Sequence, residues 1–125
     1  MAKGDFVKAF IEDVKGSIDG VHAVTVVELE SGMDLGNFSD GTLDPEIASA
    51  YNAEVVKSKL KAIKALGLNE KIDDILITLE SQYHLISCTS NGTHMIYLAA
   101  DKAKANLAML RNIVRKGREE IEKNL

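Results

Sequence analysis

The side chains of this sequence that could do chemistry are three histidines, one cysteine and a few carboxylates. His22, His84 and His94 lie on separate predicted strands and lack the short spacing that metal ligands usually show. Cys88 is the only cysteine. Because it lies in a predicted strand beside apolar residues, we expect a buried, unreactive thiol. These residues therefore predict no metal site, no nucleophile and no cofactor.

The carboxylates and glycines give no stronger indication of catalysis. Asp73 and Asp74 begin a predicted strand and Asp40 lies in a loop, positions that are typical of solvated caps rather than of a general acid and base. No glycine-rich segment has the lysine and serine that complete a phosphate-binding loop. We therefore predict that the chain is not an enzyme and does not hydrolyse nucleotides.

Charge and cysteine content narrow the class of protein. The formal net charge is −4 at pH 7, which argues against a nucleic-acid partner because such partners favour a basic face. The densest basic cluster is expected to be the solvated face of a helix. It consists of Arg111, Arg115, Lys116 and Arg118. A single cysteine allows no internal disulfide, and no apolar run approaches the ~20 residues that span a bilayer. We expect a cytoplasmic protein without membrane insertion.

Local signals set the boundaries of the expected helices and strands. Asp44-Pro45 is typical of a helix start, with aspartate as the N-cap and proline in the first turn, and Gly67 is a natural helix end. Asn91-Gly92 predicts a tight hairpin turn. Helical periodicity and runs of β-branched residues predict the other elements. The expected helices span residues 5–18, 45–66 and 102–125, and the expected strands span 21–29, 33–38, 74–80, 83–89 and 93–100.

The order α-β-β-α-β-β-β-α predicts an α/β fold of the α+β kind. Two strands, a crossover helix and then a three-strand meander favour one five-stranded antiparallel sheet. Since the 125 residues contain no linker and no internal repeat, we expect a single domain over residues 1–125.

The middle helix carries apolar residues on two sides, as a helical wheel at ~100° per residue shows. One arc holds Ile47, Tyr51, Val55 and Leu66. The other holds Val56, Leu60 and Ile63. We assign the first arc to the sheet. The second arc packs either against another helix of the same chain or against another protein, and the wheel alone leaves both open.

The strand from Ile75 to Leu79 is the second feature that could involve a partner. It is apolar on both faces and contains neither proline nor lysine, which usually protect a strand at the edge of a sheet. It is therefore either a central strand or an edge strand that a partner strand covers.

Residues 20–36 and residues 95–111 together resemble Roadblock-type dynein light chains, a family with a profilin-like fold and with bacterial and archaeal members. Residues 20–27 followed by 31–36 are similar to the family's opening hairpin. Residues 95–101 followed by 105–111 are similar to the strand and helix start of the bacterial and archaeal members, although Ala108 stands where glycine is often found. The resemblance covers roughly residues 5–115 and depends on the order and spacing of these motifs.

The resemblance implies a sheet order of 2-1-5-4-3 with helices on both faces, in which the third strand is an edge. It also implies a homodimer, because family members pair this edge across a two-fold axis and pack their middle helices side by side. The implied interface residues are Val56, Lys59, Leu60, Ile63, Asp74, Ile75, Leu76, Ile77, Thr78 and Leu79.

The resemblance further implies a non-catalytic protein-interaction module, either a scaffold or regulator of a small Ras-like GTPase or a light chain of a larger cytoplasmic assembly. Arg111 stands near a helix start where a packing or ion-pair role is expected, rather than insertion into a GTPase active site. The alternative is a small-molecule-sensing α/β domain. That function would need a pocket, and the sequence offers no tryptophan and only three tyrosines and three phenylalanines to line one.

Overall fold

The computed structural model describes residues 3–125 of the chain. Its three helices are α1 (Lys3–Ser17), α2 (Pro45–Ala65) and α3 (Leu107–Asn124). Its five strands are β1 (Val21–Glu28), β2 (Asp34–Ser39), β3 (Asp74–Thr78), β4 (Gln82–Cys88) and β5 (His94–Asp101). The order of helices and strands is the one predicted from the sequence.

The five strands form one antiparallel sheet in the order β2-β1-β5-β4-β3. At its centre, Val24 of β1 lies opposite Leu98 of β5, and Leu98 lies opposite Leu85 of β4. The strand β3 pairs with β4 and ends the sheet on that side. The predicted fold class and strand order are therefore confirmed, including the position of β3 at an edge.

Side chains alternate between the two faces of the sheet, and each face has its own helical cover. The helices α1 and α3 cover one face, where Val14, Val24, Leu98 and Val114 belong to one buried cluster. The helix α2 covers the other face, and Val56 there belongs to a second buried cluster. The sheet is thus the middle layer of three, with helices on both faces as predicted.

Two glycines let α1 approach its neighbours closely. A Cβ at Gly36 of β2 would lie 2.7 Å from a side-chain carbon of Val7. A Cβ at Gly117 of α3 would overlap the ring of Phe10. Because real Cβ contacts are essentially never shorter than 3.0 Å, these positions require glycine for packing rather than for backbone freedom.

The helix α2 begins as the sequence predicts. The side chain of Asp44 accepts hydrogen bonds from the backbone N–H groups of Glu46 and Ile47, at 2.9 and 3.2 Å. Pro45 takes the first helical position, where its missing N–H leaves nothing unpaired. Gly67 has a positive φ of 70° just after the helix, which allows the chain to turn toward β3.

The helix α3 begins later than predicted, at Leu107 instead of residue 102. The carboxylate of Asp101 accepts a hydrogen bond from the N–H of Ala103, and its carbonyl accepts one from the N–H of Ala105, so these residues form a turn. Asn106 is the N-cap, with its side chain accepting from the N–H of Met109 at 3.1 Å. The prediction missed this cap because helical periodicity already appears at Ala103.

The assignment of the two apolar arcs of α2 was wrong. Val56 has an exposed fraction of 0%, whereas Ile47 is 58% and Tyr51 is 73% exposed. The sheet is met by the small side chains of Ser49 and Ala53 together with Val56. Small side chains let the helix lie close to the sheet, and the wheel gave weight only to large apolar residues. Val56 is therefore a core residue of the monomer and is not available to a partner.

No helix within residues 3–125 is long and apolar enough to cross a membrane.

Candidate protein-interaction surface

The outer edge of β3 is open along the part of the chain that the structure describes. Its residues pair in register with β4 on one side, from Asp74 opposite Ser87 to Thr78 opposite Tyr83. No strand of residues 3–125 pairs with its other side. The side chains of Ile75, Leu76 and Ile77 are each only half-buried. An unprotected, apolar edge of this kind is a ready site for pairing with another strand.

The side of α2 that faces the sheet also carries apolar residues after Val56, the last residue of the helix that is buried. Val56 lies in the same buried cluster as the half-buried Ile75 of β3. One turn and two turns further along, on the same side of the helix, Leu60 is 42% exposed and Ile63 is half-buried. The end of α2 therefore presents apolar side chains in a direction where the monomer's own sheet no longer covers them.

We call this combined region the edge surface. It consists of Lys59, Leu60, Ile63 and residues 74–79. It retains every interface residue predicted from the sequence except Val56, which the monomer buries.

A second apolar surface runs along the side of α2 that points away from the sheet, and we call it the outer stripe. It consists of Ile47, Tyr51, Val55, Ser58, Ala62 and Leu66. Val55 is 39% and Leu66 is 67% exposed. A shallow hollow of about 480 Å³ opens on this stripe, and its walls include Tyr51, Ser58 and Ala62. Sequence reasoning did not predict this surface, because it assigned the same residues to the core.

Exposed apolar residues are concentrated in this part of the molecule. Among the described residues, nine large hydrophobic side chains are exposed, and seven of them belong to α2, to the loop after it or to the residue that follows β3. The seven are Ile47, Tyr51, Val55, Leu60, Leu66, Leu68 and Leu79. Contiguous apolar surface is typical of protein–protein contact sites, whereas single exposed residues are not informative.

The start of β3 is held to α3 by ion pairs. Arg111 donates to both carboxylate oxygens of Asp74, at 3.1 and 3.4 Å. Arg115 and Arg118 both donate to the carboxylate of Asp73, at 3.0 and 3.1 Å. The hydrogen bond from Arg118 is the main reason that the pKa of Asp73 is lowered. We call these five residues the arginine clamp.

The arginine clamp corrects two expectations. The arginines of α3 are not simply a solvated face, because all three are ion-paired, and Asp74 is not a solvated cap, because its side chain is only 16% exposed. The ion-pair role expected for Arg111 is confirmed. The carboxylate of Asp74, a predicted interface residue, is used within the chain, so Asp74 can offer mainly its backbone to a partner. Partners separated by 37 to 45 positions leave no local signal in the sequence.

The histidines take part in local hydrogen bonds on separate strands. The Nδ1 atom of His22 lies 2.8 Å from the carboxylate of Asp40, and this hydrogen bond is the main cause that lowers the pKa of Asp40 to about 2. The ring of His84 lies between the Tyr97 hydroxyl, 3.1 Å from Nδ1, and the Gln82 side chain, 2.8 Å from Nε2. Burial lowers the pKa of His84 and raises that of Tyr97 to about 12.

Neither a metal site nor a reactive thiol is found in the described part of the chain. No group of three histidine, cysteine or carboxylate side chains within residues 3–125 could hold a metal ion. Cys88 is buried, and burial raises the pKa of its thiol to about 11. A thiol with that pKa is almost entirely protonated at neutral pH and is a poor nucleophile.

Comparison with known proteins was made at the level of sequence and of structure. No protein-family model matches the sequence, and no curated protein matches it. MglB from Myxococcus xanthus has a TM-score of 0.82 at 14% identity, covering 96% of this chain and 87% of that one. The gliding protein MglB from Thermus thermophilus has a TM-score of 0.81 at 11% identity, covering 99% and 91%.

A third solved structure of similar fold is a domain of the Roadblock/LC7 type. A Roadblock/LC7 domain from Streptomyces avermitilis has a TM-score of 0.76 at 12% identity, covering 98% of this chain and 97% of that one. At identities this low, the TM-scores show that the fold is shared and nothing more. The strand order β2-β1-β5-β4-β3 is also the order that the sequence resemblance implied. The chain therefore has the Roadblock fold.

Proposed function

We propose that the chain is a homodimeric, non-catalytic protein-interaction module of the Roadblock family that acts as a scaffold or regulator of a small Ras-like GTPase or of a larger cytoplasmic assembly. The observation that carries this proposal is the edge surface, where an open apolar strand lies beside helix residues that overhang the sheet. We also propose that residues 1–125 form a single domain that works in the cytoplasm.

Pairing of β3 with β3 of a second copy would cover both the open strand edge and the exposed apolar residues at the end of α2. A second β3, placed antiparallel across a two-fold axis, would take up the free backbone groups of the first. It would also extend the sheet beneath the end of α2, where Leu60 and Ile63 now lack cover. Burying one such side chain is worth roughly 1.5–3 kcal/mol, and two-fold symmetry counts each residue twice.

The non-catalytic part of the proposal follows from how the charged side chains are used. All three arginines of the chain are bonded to Asp73 or Asp74, so an arginine that enters a GTPase active site would first have to break the arginine clamp. We propose that any effect on a GTPase arises by positioning the GTPase's own residues. The GTPase partner itself is carried over from the Roadblock resemblance.

Sedimentation equilibrium tests the dimer. We expect wild-type protein to self-associate at micromolar concentration. In Leu60→Asp, the edge contact should weaken by several kcal/mol, which is about a thousandfold in dissociation constant. The matched control is Lys8→Asp on the exposed face of α1, which should associate like wild type. A wild-type protein that is monomeric at high micromolar concentration would contradict the proposal.

A GTPase partner is tested separately, by pull-down from the native cytosol followed by a GTP-hydrolysis assay with any small GTPase that is captured. We expect the rate of the captured GTPase to change when the protein is added. Retention of that effect in an Arg111→Ala, Arg115→Ala, Arg118→Ala triple variant that remains folded would support a positioning role. Its complete loss in the folded variant would contradict that role.

A small-molecule-sensing domain is the second candidate, and one cavity favours it. This cavity, of about 430 Å³, lies between the N-terminal end of α1 and the hairpin turns. Its walls include Val7, Leu35, Leu125, Glu28 and Glu30. A thermal-shift screen with metabolites and nucleotides would test this candidate, which requires a reproducible rise in Tm that Thr93→Trp, at an exposed position in the cavity wall, abolishes.

A further inference from the structure

The second half of α2 has a charge opposite to that of the rest of the chain. Residues 55–69 contain four lysines and no acidic residue, whereas the whole chain has a formal net charge of −4 at pH 7, so the other residues together carry −8. The four are Lys57, Lys59, Lys61 and Lys64. Within the described part of the chain, only Lys57 of these four has an ion pair, an exposed contact of 3.6 Å with Glu54. Such pairs contribute little, so the positive charge of this segment is free to attract a partner.

Exposed apolar side chains lie beside these lysines. On a helical wheel at ~100° per residue, the lysines flank the second half of the outer stripe, three on one side and Lys59 on the other. Leu66 at the end of the helix and Leu68 just after it are both more than half exposed. Every residue from 64 to 71 is exposed, so this end of α2 and the loop after it are open to solvent. We call the four lysines together with Leu66 and Leu68 the lysine patch.

We infer that the lysine patch binds the surface of a membrane that contains anionic lipids. The ammonium groups lie at the level of the lipid phosphates, and Leu66 and Leu68 reach the boundary between the headgroups and the acyl chains. A helix that carries lysines beside apolar residues is typical of proteins that lie on a membrane without crossing it. Binding of this kind requires no spanning segment. The inference goes beyond the proposed function, which concerns protein partners.

The residue types favour a lipid surface over a protein or a nucleic acid. Protein interfaces are enriched in arginine and depleted in lysine, and all three arginines of this chain are held in the arginine clamp. Lysine suits a membrane surface, because its apolar stem lies along apolar groups while its ammonium group stays in water. A nucleic acid also attracts lysines through its phosphates, but phosphate contacts make no use of the exposed leucines.

The proposed edge dimer would strengthen this binding but is not required for it. Antiparallel pairing of two β3 strands about a two-fold axis normal to the sheet leaves both copies of α2 on the same face of the joined sheet. Two lysine patches would then meet one membrane, and linked contacts bind more tightly than single ones. A single patch already combines charge with apolar side chains, so the inference applies to the monomer as well.

Co-sedimentation with lipid vesicles tests the electrostatic part. We expect wild type to bind vesicles of equal parts phosphatidylcholine and phosphatidylserine, to release them as salt is raised, and not to bind phosphatidylcholine alone. Neutralising three lysines of the patch should weaken binding about a hundredfold. The changes are Lys57→Gln, Lys61→Gln and Lys64→Gln; Lys59 is left in place because it also belongs to the edge surface.

The matched control removes the same amount of charge elsewhere. It replaces three exposed lysines outside the patch, and it should bind vesicles like wild type. The changes are Lys8→Gln, Lys102→Gln and Lys116→Gln. Circular dichroism of both triple variants shows that they are folded. Equal losses in the two triple variants would overturn the inference, because binding would then depend on overall charge and not on this patch.

A leucine substitution tests the apolar part. Leu66→Gln should weaken binding to the anionic vesicles about tenfold, because its side chain no longer gains from leaving water. Met33→Gln is the matched control, since Met33 is also more than half exposed but lies in the turn between β1 and β2. Unchanged binding in Leu66→Gln would contradict the proposed contact with the acyl boundary.

The outcomes for the membrane contact and for the edge dimer are distinguishable. Sedimentation equilibrium without vesicles should show that the variant with three lysines of the patch replaced self-associates like wild type. If wild type is a dimer that does not bind anionic vesicles, the inference is wrong and the proposed dimer stands. If wild type is a monomer that binds them through the lysine patch, the inference stands and the dimer is wrong. Tighter binding to single-stranded RNA than to anionic vesicles would also overturn the inference.

Discussion

At the scale of single residues, Tyr51 and Val56 show which side of α2 belongs to the core. We expect Val56→Asp to destabilise the protein by more than about 3 kcal/mol, because it places a charge in an apolar cluster. Tyr51→Asp should change the free energy of unfolding of the monomer by less than about 1 kcal/mol, because the side chain is already in water. Urea unfolding followed by circular dichroism, at a protein concentration low enough to avoid assembly, measures both. Equal losses in the two variants would contradict the assignment.

The hydroxyl of Thr25 is the one buried side-chain polar atom of the described residues that has no hydrogen-bond partner. Thr25→Val keeps the shape of the side chain and removes the unpaired hydroxyl, so we expect it to be neutral or to stabilise by up to about 1 kcal/mol. Thr89→Val is the matched control, since the buried Thr89 hydroxyl accepts a hydrogen bond from the N–H of His94 and donates to Asn91. The control should lose about 1–2 kcal/mol. A comparable loss in Thr25→Val would show that its hydroxyl has a partner.

At the scale of elements, the contact of α1 with α3 depends on a glycine, Gly117, which leaves room for the ring of Phe10. Gly117→Ala would normally stabilise a helix by about 1 kcal/mol, but here the new methyl group would overlap the ring of Phe10. We expect a net loss of about 1–3 kcal/mol. Gly16→Ala in α1 meets no atom within 4 Å and should stabilise by up to about 1 kcal/mol. Thermal unfolding of both variants measures the contrast, and a higher Tm for Gly117→Ala would contradict it.

The arginine clamp links the start of the edge strand β3 to the helix α3, which covers one face of the sheet. The side chain of Asp74 is only 16% exposed, so removing Arg111 leaves a partly buried charge without its main partner. We expect Arg111→Ala to destabilise by about 1–3 kcal/mol and to speed hydrogen exchange of the amides of β3 that bond to β4. Lys116→Ala on the same helix should leave those exchange rates unchanged. Unchanged exchange in Arg111→Ala would show that the clamp does not hold the strand.

Particular elements show how far the sequence could predict the structure. The start of α2 and the turn at Gly92 were predicted because their chemistry is local: a carboxylate caps two nearby N–H groups, and Gly92 takes a φ of 73°. The wheel identified two apolar arcs on α2 but the wrong one was assigned to the sheet, since the sheet-facing Ala53 and Ser49 give no strong hydrophobic signal. The arginine clamp was missed because its partners meet only in the folded chain. The interface predictions on β3 remain predictions.

At the scale of the whole molecule, stability should fall with acidification. The pKa of Asp40 is about 2 in the folded protein and about 4 in an unfolded chain, so this carboxylate stabilises the fold above pH 4 and loses that effect as pH falls toward 2. Asp73, with its lowered pKa, acts in the same direction. We expect the urea midpoint to decrease between about pH 5 and pH 2. Asp40→Asn should make that decrease shallower, and an unchanged pH profile would contradict the role of His22 in holding the charge.

The strand order has a consequence for how the chain reaches its native state. The central strand pair joins β1, near the beginning of the sequence, to β5, near its end, so that Val21 lies opposite Ala100. The middle of the sheet cannot close until most of the chain is available, and such distant pairing slows folding. During synthesis on the ribosome, β1 and β2 can form a hairpin, but the flank of β1 that awaits β5 stays open. Until β5 emerges, we expect this nascent hairpin to expose an unpaired apolar strand edge, which is the feature that makes partly folded chains prone to aggregation.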